Sequence, residues 1–327
     1  MRAVVASRHG GPEVLEVSDV ADPVLGAGQI LVEVEACSVT FPDLLMLRDM
    51  YQFKPGLPFI PGGEVAGVVR QVGPGVEGFE AGSRVIGSTG SVGGMAELAL
   101  TRADSTVALP AGADPSDAAG LLYGYGTSYH ALADRARLAA GETLVVLGAA
   151  GGVGLAAVEL GRAMGARVIA AASSPDKLAV CVEHGADATI DYSRQDLKEA
   201  IRSLTGGQGA DVVFDPVGGP YSEPALRSTA WDGRFLVVGF AAGEIPRIPL
   251  NLALLRGASI VGVFWGAFAS RYPQRNRENL TTLVGWWQDG RIRPHTSASY
   301  PLAQAADALA DLDQRRATGK VVVTPRS

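Results

Sequence analysis

The sequence predicts an α/β protein in which a β-rich first third is followed by a doubly wound parallel sheet. Three observations predict this fold class. Short apolar stretches separated by glycine and proline fill the chain up to Pro110. Apolar strands and helices then alternate from Thr143 onwards. A glycine-rich turn, Gly148–Gly154, connects the first of these strands to the following helix, as in βαβ units.

The first third is predicted to form short strands. They are Ala3–Ala6, Val14–Val17, Ile30–Cys37, Glu64–Val72, Arg84–Gly87, Met95–Leu100 and Thr106–Leu109. The third of them contains ILVEVEA, whose alternation of apolar and acidic residues indicates a half-exposed strand. Many short strands with little helix favour a small barrel or sandwich.

The pattern changes at Asp114 and Pro115, which predict the N-cap and first residue of a helix. Six strands are then predicted at Thr143–Leu147, Arg167–Ala172, Ala188–Asp191, Asp211–Phe214, Arg234–Val238 and Ser259–Val263. Apolar helices lie between most of them, as at Leu155–Met164, Lys177–His184 and Leu197–Leu204. This alternation predicts a parallel sheet with helices on both faces.

The last segment is predicted to contain helices at Glu278–Gly290 and Leu302–Arg316 and a closing strand at Lys320–Thr324. Since a completed six-stranded sheet does not easily accept another strand, we expect the closing strand to return to the first domain. The predicted domains are therefore 1–122 with 265–327, and 123–264.

Composition and charge argue against several classes of protein. A chain of 327 residues that is 47% hydrophobic and 19% charged can bury the cores of two domains. The net charge of −6 argues against a nucleic-acid surface. Glycines interrupt the least charged window, Thr143–Val158, so it does not predict a membrane span. With only Cys37 and Cys181 and no export signal, a cytoplasmic location with buried free thiols is expected.

The glycine-rich turn predicts a dinucleotide site. Gly151 and Gly154 occupy the second and third glycine positions of a G-x-G-x-x-G pattern, with Ala149 at the first. A residue without a Cβ lets backbone N–H groups approach a pyrophosphate at the helix N-terminus. We therefore expect the cofactor to contact Ala150, Gly151, Gly152, Val153 and Gly154.

The end of the next strand indicates which dinucleotide binds. In NAD-binding units an acid at this point accepts hydrogen bonds from the ribose, and it would repel a 2′-phosphate. Here the strand RVIAAA continues into Ser173 and Ser174, and Lys177 follows. Asp176 is the nearby acid, but an acid directly after Pro175 is common at a helix start for helix-dipole reasons. The sequence therefore predicts NADPH.

These motifs, with several others, resemble the zinc-free quinone oxidoreductase branch of the medium-chain dehydrogenase/reductase superfamily. The similarity extends over essentially the whole chain and includes LVEVEACSVTFPDLLMLRDMYQ, PFIPGGEVAGVV, GAAGGVG, GQGADVVFDPVGG, GRFLVVGF and TGKVVV. The resemblance implies a GroES-like β-barrel catalytic domain formed by both chain ends, a doubly wound Rossmann domain, and an active site in the cleft between them. It also implies a homodimer, which the apolar edge of ASIVGVFW favours as well.

The resemblance bears on metal content too. Alcohol dehydrogenases of the same superfamily bind catalytic zinc through a cysteine, a His-Glu pair and a further cysteine or aspartate. Thr40 stands at the first of these positions, and Gly63-Glu64 stand where the pair would be. The four histidines, His9, His130, His184 and His295, are scattered. We therefore expect no metal, and an acceptor that carries its own electron sink, such as a quinone or an α,β-unsaturated carbonyl.

Candidate catalytic residues follow from the resemblance. Thr40 matches a position that usually holds asparagine and would offer a hydroxyl donor to the developing oxyanion. Asp43 matches a frequent acid, and its alternative role is to cap a helix that starts at Leu44. Tyr51 matches an aromatic residue that borders the nicotinamide, and its alternative is a plain core tyrosine.

The remaining cofactor contacts also follow from the resemblance. Thr127 is expected at the nicotinamide end, and Lys177 and Tyr192 beside the 2′-phosphate. The nicotinamide ribose and ring are expected to meet Gly239, Phe240, Val263, Phe264 and Trp265, and Lys320 to close over the cofactor. Phe264, Trp265 and Phe268 would stack a flat acceptor or, alternatively, form a core or interface cluster.

The leading functional hypothesis is an NADPH-dependent quinone oxidoreductase. One alternative is an enoyl reductase acting on a free enone or a CoA thioester, whose phosphates could meet Lys54, Arg271, Arg275 and Arg277. The other alternative is a non-catalytic, crystallin-like protein that binds NADPH. The predicted partners are a small-molecule substrate and a second copy of the chain, with no nucleic acid or membrane.

Overall fold

A computed structural model describes residues 1–326. They form two compact units. The first unit contains Met1–Tyr123, Ala269–Gln288 and the chain from Pro294 onwards, and the second contains Gly124–Phe268 and Asp289–Arg293. Among the described residues, no helix combines the length and the apolar character needed to cross a bilayer.

The elements are numbered in chain order. The strands are β1 Arg2–Ala6, β2 Leu15–Asp19, β3 Gln29–Val39, β4 Glu64–Val72, β5 Arg84–Ser88, β6 Leu98–Arg102, β7 Thr106–Ala108, β8 Thr143–Leu147, β9 Arg167–Ala172, β10 Ala188–Asp191, β11 Ala210–Asp215, β12 Thr229–Val237, β13 Ser259–Gly262, β14 Thr296–Pro301 and β15 Lys320–Thr324. The helices are α1 Phe41–Leu47, α2 Pro115–Ala118, α3 Gly126–Tyr129, α4 Gly152–Ala163, α5 Pro175–Glu183, α6 Leu197–Leu204, α7 Ser222–Arg227, α8 Asn251–Arg256, α9 Trp265–Arg271, α10 Pro273–Gln288 and α11 Ala305–Asp313. Two π-helical segments, Leu121–Tyr125 and His130–Ala136, flank α3.

The first unit is built around a sheet with the strand order β14-β15-β3-β4-β5-β7, and β6 also pairs with β3. Alternate residues of β3, Ile30, Val32 and Val34, are fully buried and belong to one apolar core with Leu44 of α1. β15 runs antiparallel to β3. This pairing confirms that the closing strand returns to the first part of the chain.

The second unit contains six parallel strands in the order β10-β9-β8-β11-β12-β13. Val145, Ile169, Val213 and Phe235, from four adjacent strands, are buried in one core. The chain moves outward in both directions from β8 and β11, which is the doubly wound arrangement, and ligands of such sheets bind at the carboxyl ends of the strands at this reversal. The predicted α/β fold class is confirmed.

Two local differences have identifiable causes, and one local prediction is confirmed. β14 was not predicted because its sequence, TSASYP, consists largely of small and polar residues and lacks the apolar alternation of a strand. The helix predicted at Leu302–Arg316 is shorter in the structure, because α11 ends at Asp313. Arg315 has a left-handed φ of 57°, which is incompatible with a right-handed helix. At Asp114 the prediction is confirmed, since its side chain accepts the N–H groups of Ser116 and Asp117.

Candidate functional site

The glycine-rich turn links the buried strand β8 to α4 in the second unit. Gly148 has a left-handed φ of 56°, and its carbonyl oxygen accepts the N–H of Gly151 at 3.0 Å. A Cβ on Gly154 would lie 2.2 Å from that oxygen and 2.9 Å from Cα of Ala149. Only glycine fits at position 154, because backbone atoms occupy the space of a side chain.

The first turn of α4 fits the pyrophosphate of a dinucleotide. Its N-cap is Gly151, which has no side chain with which to cap the helix. Among the described residues, the nearest atom to a Cβ placed on Gly151 is the Gly148 oxygen at 3.4 Å, an ordinary contact distance, so the protein leaves room there. The N–H groups of Gly152, Val153 and Gly154 begin a 12-residue helix, whose N-terminus favours an anion. The remaining predicted contact in this turn, the side chain of Ala150, is buried.

The residues predicted to hold a 2′-phosphate lie at the carboxyl ends of β9 and β10. Ser173 is exposed after β9, and Ser174 is the N-cap of α5, where its Oγ accepts the N–H of Lys177 at 3.4 Å. Tyr192 follows β10, and its N–H donates to the carbonyl of Ala172 at 3.1 Å. The parallel pairing of β9 with β10 therefore brings these predicted contacts to one edge of the sheet.

Two further side chains define this edge. Asp176 is the second residue of α5 and is exposed, in a position where its charge complements the helix N-terminus. The ring of Tyr192 packs against the ring of Tyr221, with centroids 4.5 Å apart. Tyr192 is therefore held in place by Tyr221. The position of Asp176 is explained by its interaction with the helix N-terminus, without a hydrogen bond to a cofactor ribose.

Hydrogen bonds made by two neighbours of Thr127 tie α3, which carries it, to α4. Ser128 Oγ donates to the carbonyl of Val153 at 2.7 Å. The hydroxyl of Tyr125 donates to Glu159 of α4 at 2.7 Å. These bonds fix Thr127 relative to α4, although α3 itself is only four residues long.

Gly239, Phe240 and Val263 lie beyond the carboxyl ends of β12 and β13. The N–H of Gly239 donates to the carbonyl of Asp215 at 3.3 Å, and the N–H of Val263 donates to the carbonyl of Val237 at 2.9 Å. These backbone bonds extend the sheet and place all three residues at the edge where the glycine-rich turn lies.

Asp215, at the end of β11, is a structurally important residue that the sequence interpretation missed. Its buried carboxylate accepts the N–H groups of Val217 at 2.8 Å and Gly218 at 2.9 Å and the hydroxyl of Ser222 at 2.5 Å. Burial raises its pKa, whereas these hydrogen bonds act in the opposite direction. The signal that could have found it is DPVGG, an acid, a proline and two glycines directly after an apolar strand.

The three aromatic residues after β13 have different surroundings. Trp265 is only 7% exposed, and its indole atoms lie 3.2 Å from the place of a Cβ on Gly126. Phe268 stacks on the ring of His130 with centroids 3.9 Å apart. Phe264 is 57% exposed. Of the two interpretations left open by the sequence, core packing therefore describes Trp265, while the exposed Phe264 is the better candidate for contact with a ligand.

In the first unit, Thr40 and Asp43 form a capping box at the start of α1. Asp43 Oδ2 accepts both the N–H of Thr40 at 2.8 Å and its hydroxyl at 2.6 Å, and Oδ1 accepts the N–H of Gly62 at 2.9 Å. The helix begins at Phe41 rather than Leu44, so Thr40 is the N-cap and Asp43 the third helical residue. Burial raises the pKa of Asp43, and its hydrogen bonds oppose this shift.

Tyr51 is half-buried and packs against the core of the first unit. Burial and then the charge of Asp43 raise its pKa, so its hydroxyl keeps its proton at neutral pH. In contrast to Thr40, whose hydroxyl proton points to Asp43, Tyr51 carries an O–H group suited to donate to an oxyanion.

Glu64 is the centre of a buried cluster in the first unit that sequence reasoning did not predict. Its carboxylate accepts Lys320 Nζ at 3.1 Å and the N–H of Tyr123 at 2.8 Å, and Ser38 Oγ donates to it as well. Glu64 is fully buried and Lys320 is 7% exposed. Lys320, expected to close over a cofactor, is thus held by an ion pair within its own unit, and its role towards a cofactor stays a prediction.

Tyr123 occupies the space beside Gly63. A Cβ on Gly63 would lie 2.6 Å from the Tyr123 hydroxyl oxygen and 2.8 Å from Cζ. Burial, followed by the charge of Glu64, raises the pKa of Tyr123, and Ser88 and Ser91 form hydrogen bonds with its side chain. A side chain at position 63 could therefore be accommodated only if the ring of Tyr123 moved.

Metal-ligating residue types are dispersed. Within residues 1–326, His, Cys, Asp and Glu side chains nowhere come together in a group of three that could hold a metal ion. Cys37 and Cys181 are both buried free thiols.

Comparison with known proteins identifies the family. The Alcohol dehydrogenase GroES-like domain model matches residues 26–111, and the Zinc-binding dehydrogenase model matches residues 152–282. A quinone oxidoreductase-like protein 2 homolog from Nematostella vectensis is 40% identical over 99% of this chain and 89% of its own length.

Solved structures give the same result. A mycobacterial protein complexed with NADPH is 30% identical, with a TM-score of 0.92, over 99% of this chain and 100% of that chain. Escherichia coli quinone oxidoreductase complexed with NADPH is 27% identical, also with a TM-score of 0.92 and the same coverage. The first unit is thus GroES-like and the second has the Rossmann fold, and the chain belongs to the quinone oxidoreductase branch of the medium-chain dehydrogenase/reductase superfamily.

Proposed function

We propose that this protein is an NADPH-dependent quinone oxidoreductase that needs no metal ion. The surroundings of Gly63 and Glu64 carry the proposal. Tyr123 fills the space that a side chain at position 63 would need. Lys320 already supplies the positive charge that pairs with Glu64. A zinc ion here would put a second cation against one buried carboxylate, without the histidine that zinc-dependent enzymes use.

The residues at the carboxyl edge of the second unit support NADPH as the cofactor. The first turn of α4 would bind the pyrophosphate, and Ser173 and Lys177 would bind the 2′-phosphate through hydroxyl and ammonium donors. Both solved relatives described above were crystallised with NADPH. When bound, NADPH supplies the hydride.

An acceptor reduced without a Lewis acid must delocalise the added electron pair itself, and a quinone does so as a phenolate. The contribution of the chain is then to orient the acceptor and to donate hydrogen bonds to the developing oxyanion. Tyr51 is the better donor of the two candidates, because the Thr40 hydroxyl already donates to Asp43. Asp43 acts as a positioning residue that holds Thr40 and Gly62.

The experiment follows NADPH absorbance with 1,4-benzoquinone, 1,2-naphthoquinone, crotonyl-CoA and a free enone, using protein whose zinc content has been measured. We expect quinone turnover that is unchanged after treatment with a chelator. Faster turnover of an enone or of crotonyl-CoA would replace the proposal by the enoyl reductase alternative. Tight NADPH binding without turnover of any acceptor would favour the non-catalytic alternative.

The exposed edge of the second unit supports a homodimer as the working form. β13 is the last strand of the parallel sheet, and Ile260 on it is 40% exposed. A second copy that pairs along β13 would cover both the unpaired backbone and the exposed side chain of Ile260.

A further inference from the structure

Glu159 is a buried carboxylate in the middle of an apolar helix. It belongs to α4, is 5% exposed, and has Ala157, Val158 and Leu160 as buried neighbours in sequence. A carboxylate in such a place strongly destabilises the protein unless hydrogen bonds compensate its lost hydration. The partners of Glu159 therefore indicate what it holds.

Three separate parts of the second unit bind this carboxylate. Oε2 accepts the hydroxyl of Tyr125 at 2.7 Å and the N–H of Arg293 at 2.9 Å. Oε1 lies 2.5 Å from Nδ1 of His184. Tyr125 directly precedes α3, His184 is the C-cap of α5, and Arg293 ends the segment Asp289–Arg293.

Each of the two side-chain partners belongs to an element that carries residues of one half of the predicted cofactor site. Tyr125 lies two residues before Thr127, which is predicted at the nicotinamide end. His184 ends the nine-residue helix α5, whose first turn carries Lys177 and whose N-cap is Ser174. Glu159 itself lies on α4, whose first turn fits the pyrophosphate. One carboxylate thus connects the elements for the adenosine, pyrophosphate and nicotinamide parts.

We propose that Glu159 is a positioning residue that sets the distance between the adenosine and nicotinamide ends of the NADPH site, with Tyr125 and His184 as its two arms. This inference rests on the proposed function, because it assumes that the second unit binds NADPH. It adds a specific expectation: the two arms act on different halves of the cofactor, and Glu159 acts on both.

The experiment measures dissociation constants for NADPH, for adenosine 2′,5′-bisphosphate and for reduced nicotinamide mononucleotide. We expect Tyr125→Phe to weaken binding of the nicotinamide fragment and to leave the dissociation constant of the bisphosphate within about twofold of wild type. We expect His184→Leu to weaken the bisphosphate and spare the nicotinamide fragment, with His184→Asn, which restores a donor, closer to wild type. Glu159→Gln should weaken the binding of both fragments, and that of NADPH by about tenfold, because it disturbs both arms at once.

Glu183→Gln is the matched control, because Glu183 is exposed and adjacent to His184. It should bind all three compounds like wild type. If Tyr125→Phe and His184→Leu lower thermal stability but leave all fragment affinities unchanged, Glu159 only stabilises the fold and the inference is wrong. Equal weakening of both fragments by each arm would also overturn it. Failure of the wild-type protein to bind NADPH would instead refute the proposed function.

Discussion

Ser174 and Asp43, two residues predicted to serve a ligand, both cap helices in the structure. Ser174 caps α5 through the N–H of Lys177, and Asp43 completes the capping box of α1. Sequence patterns cannot separate these roles, because short polar side chains are both the best N-caps and good ligand donors or acceptors. The structure separates them by showing which atoms are already engaged.

Lys177 provides a test of cofactor choice at the level of one side chain. Lys177→Ala should raise the dissociation constant of NADPH about tenfold or more and leave that of NADH nearly unchanged, since only NADPH carries the 2′-phosphate. Fluorescence titration with both cofactors measures the effect. Asp176→Asn, one residue away and exposed, is the control and should preserve the preference for NADPH. Equal losses for both cofactors would contradict the assignment of Lys177.

Asp43 provides a test of stability against pH. Burial raises its pKa above 3.8 in the folded protein, so the folded state binds its proton more tightly than the unfolded state does. Stability therefore falls as the pH rises from below 3.8 through the raised value. The difference in unfolding free energy between wild type and Asp43→Asn should shrink over this range, as measured by urea unfolding at several pH values. A difference that grows with pH would show that hydrogen bonding outweighs burial.

The elements of the second unit could be predicted largely from sequence, because apolar strands and helices alternate there with clear turn residues. β8, β9 and β10 have the predicted bounds. In the first unit, β2 and β6 are displaced by one to three residues at their starts from the predicted Val14 and Met95. Short edge strands depend on their partners, so local sequence defines their ends poorly.

The glycine-rich turn yields a paired prediction at the level of this element. Gly154→Ala should destabilise the protein by about 1–3 kcal/mol, because its Cβ would overlap the Gly148 carbonyl oxygen. The Cβ of Gly151→Ala would make only ordinary contacts with the protein, so this variant should keep nearly the same stability but bind NADPH more weakly. Thermal unfolding and cofactor titration of both variants distinguish the two effects. Wild-type NADPH affinity in Gly151→Ala would show that the pyrophosphate does not approach this position.

At the scale of the whole molecule, the chain leaves its first unit and returns to it. The return of β15 to β3 was predictable, because a strand remained after six had filled the parallel sheet. The predicted domain limits, 1–122 with 265–327 and 123–264, remain a prediction. The structure's compact units divide the segment after Trp265 more finely, assigning Asp289–Arg293 to the second unit.

The exposed edge strand gives a prediction about assembly. Light scattering should give twice the chain mass of 33.8 kDa for wild type, and Ile260→Asp should shift the protein towards the monomer by placing a charge on the proposed contact. Val24→Asp is the control, because Val24 is 88% exposed in the first unit. A monomeric wild type, or equal dissociation of both variants, would refute the proposed dimer.

The sequence by itself determined the fold class, the glycine-rich turn and the expectation of NADPH, because each depends on residues that are close together in the chain. Only the tertiary structure revealed the surroundings of Glu64 and Glu159. Lys320 and Glu64 are 256 positions apart, and Arg293 and Glu159 are 134 apart. Local spacing carries no information about such pairs; they meet because β15 returns to β3 and because Asp289–Arg293 rejoins the second unit.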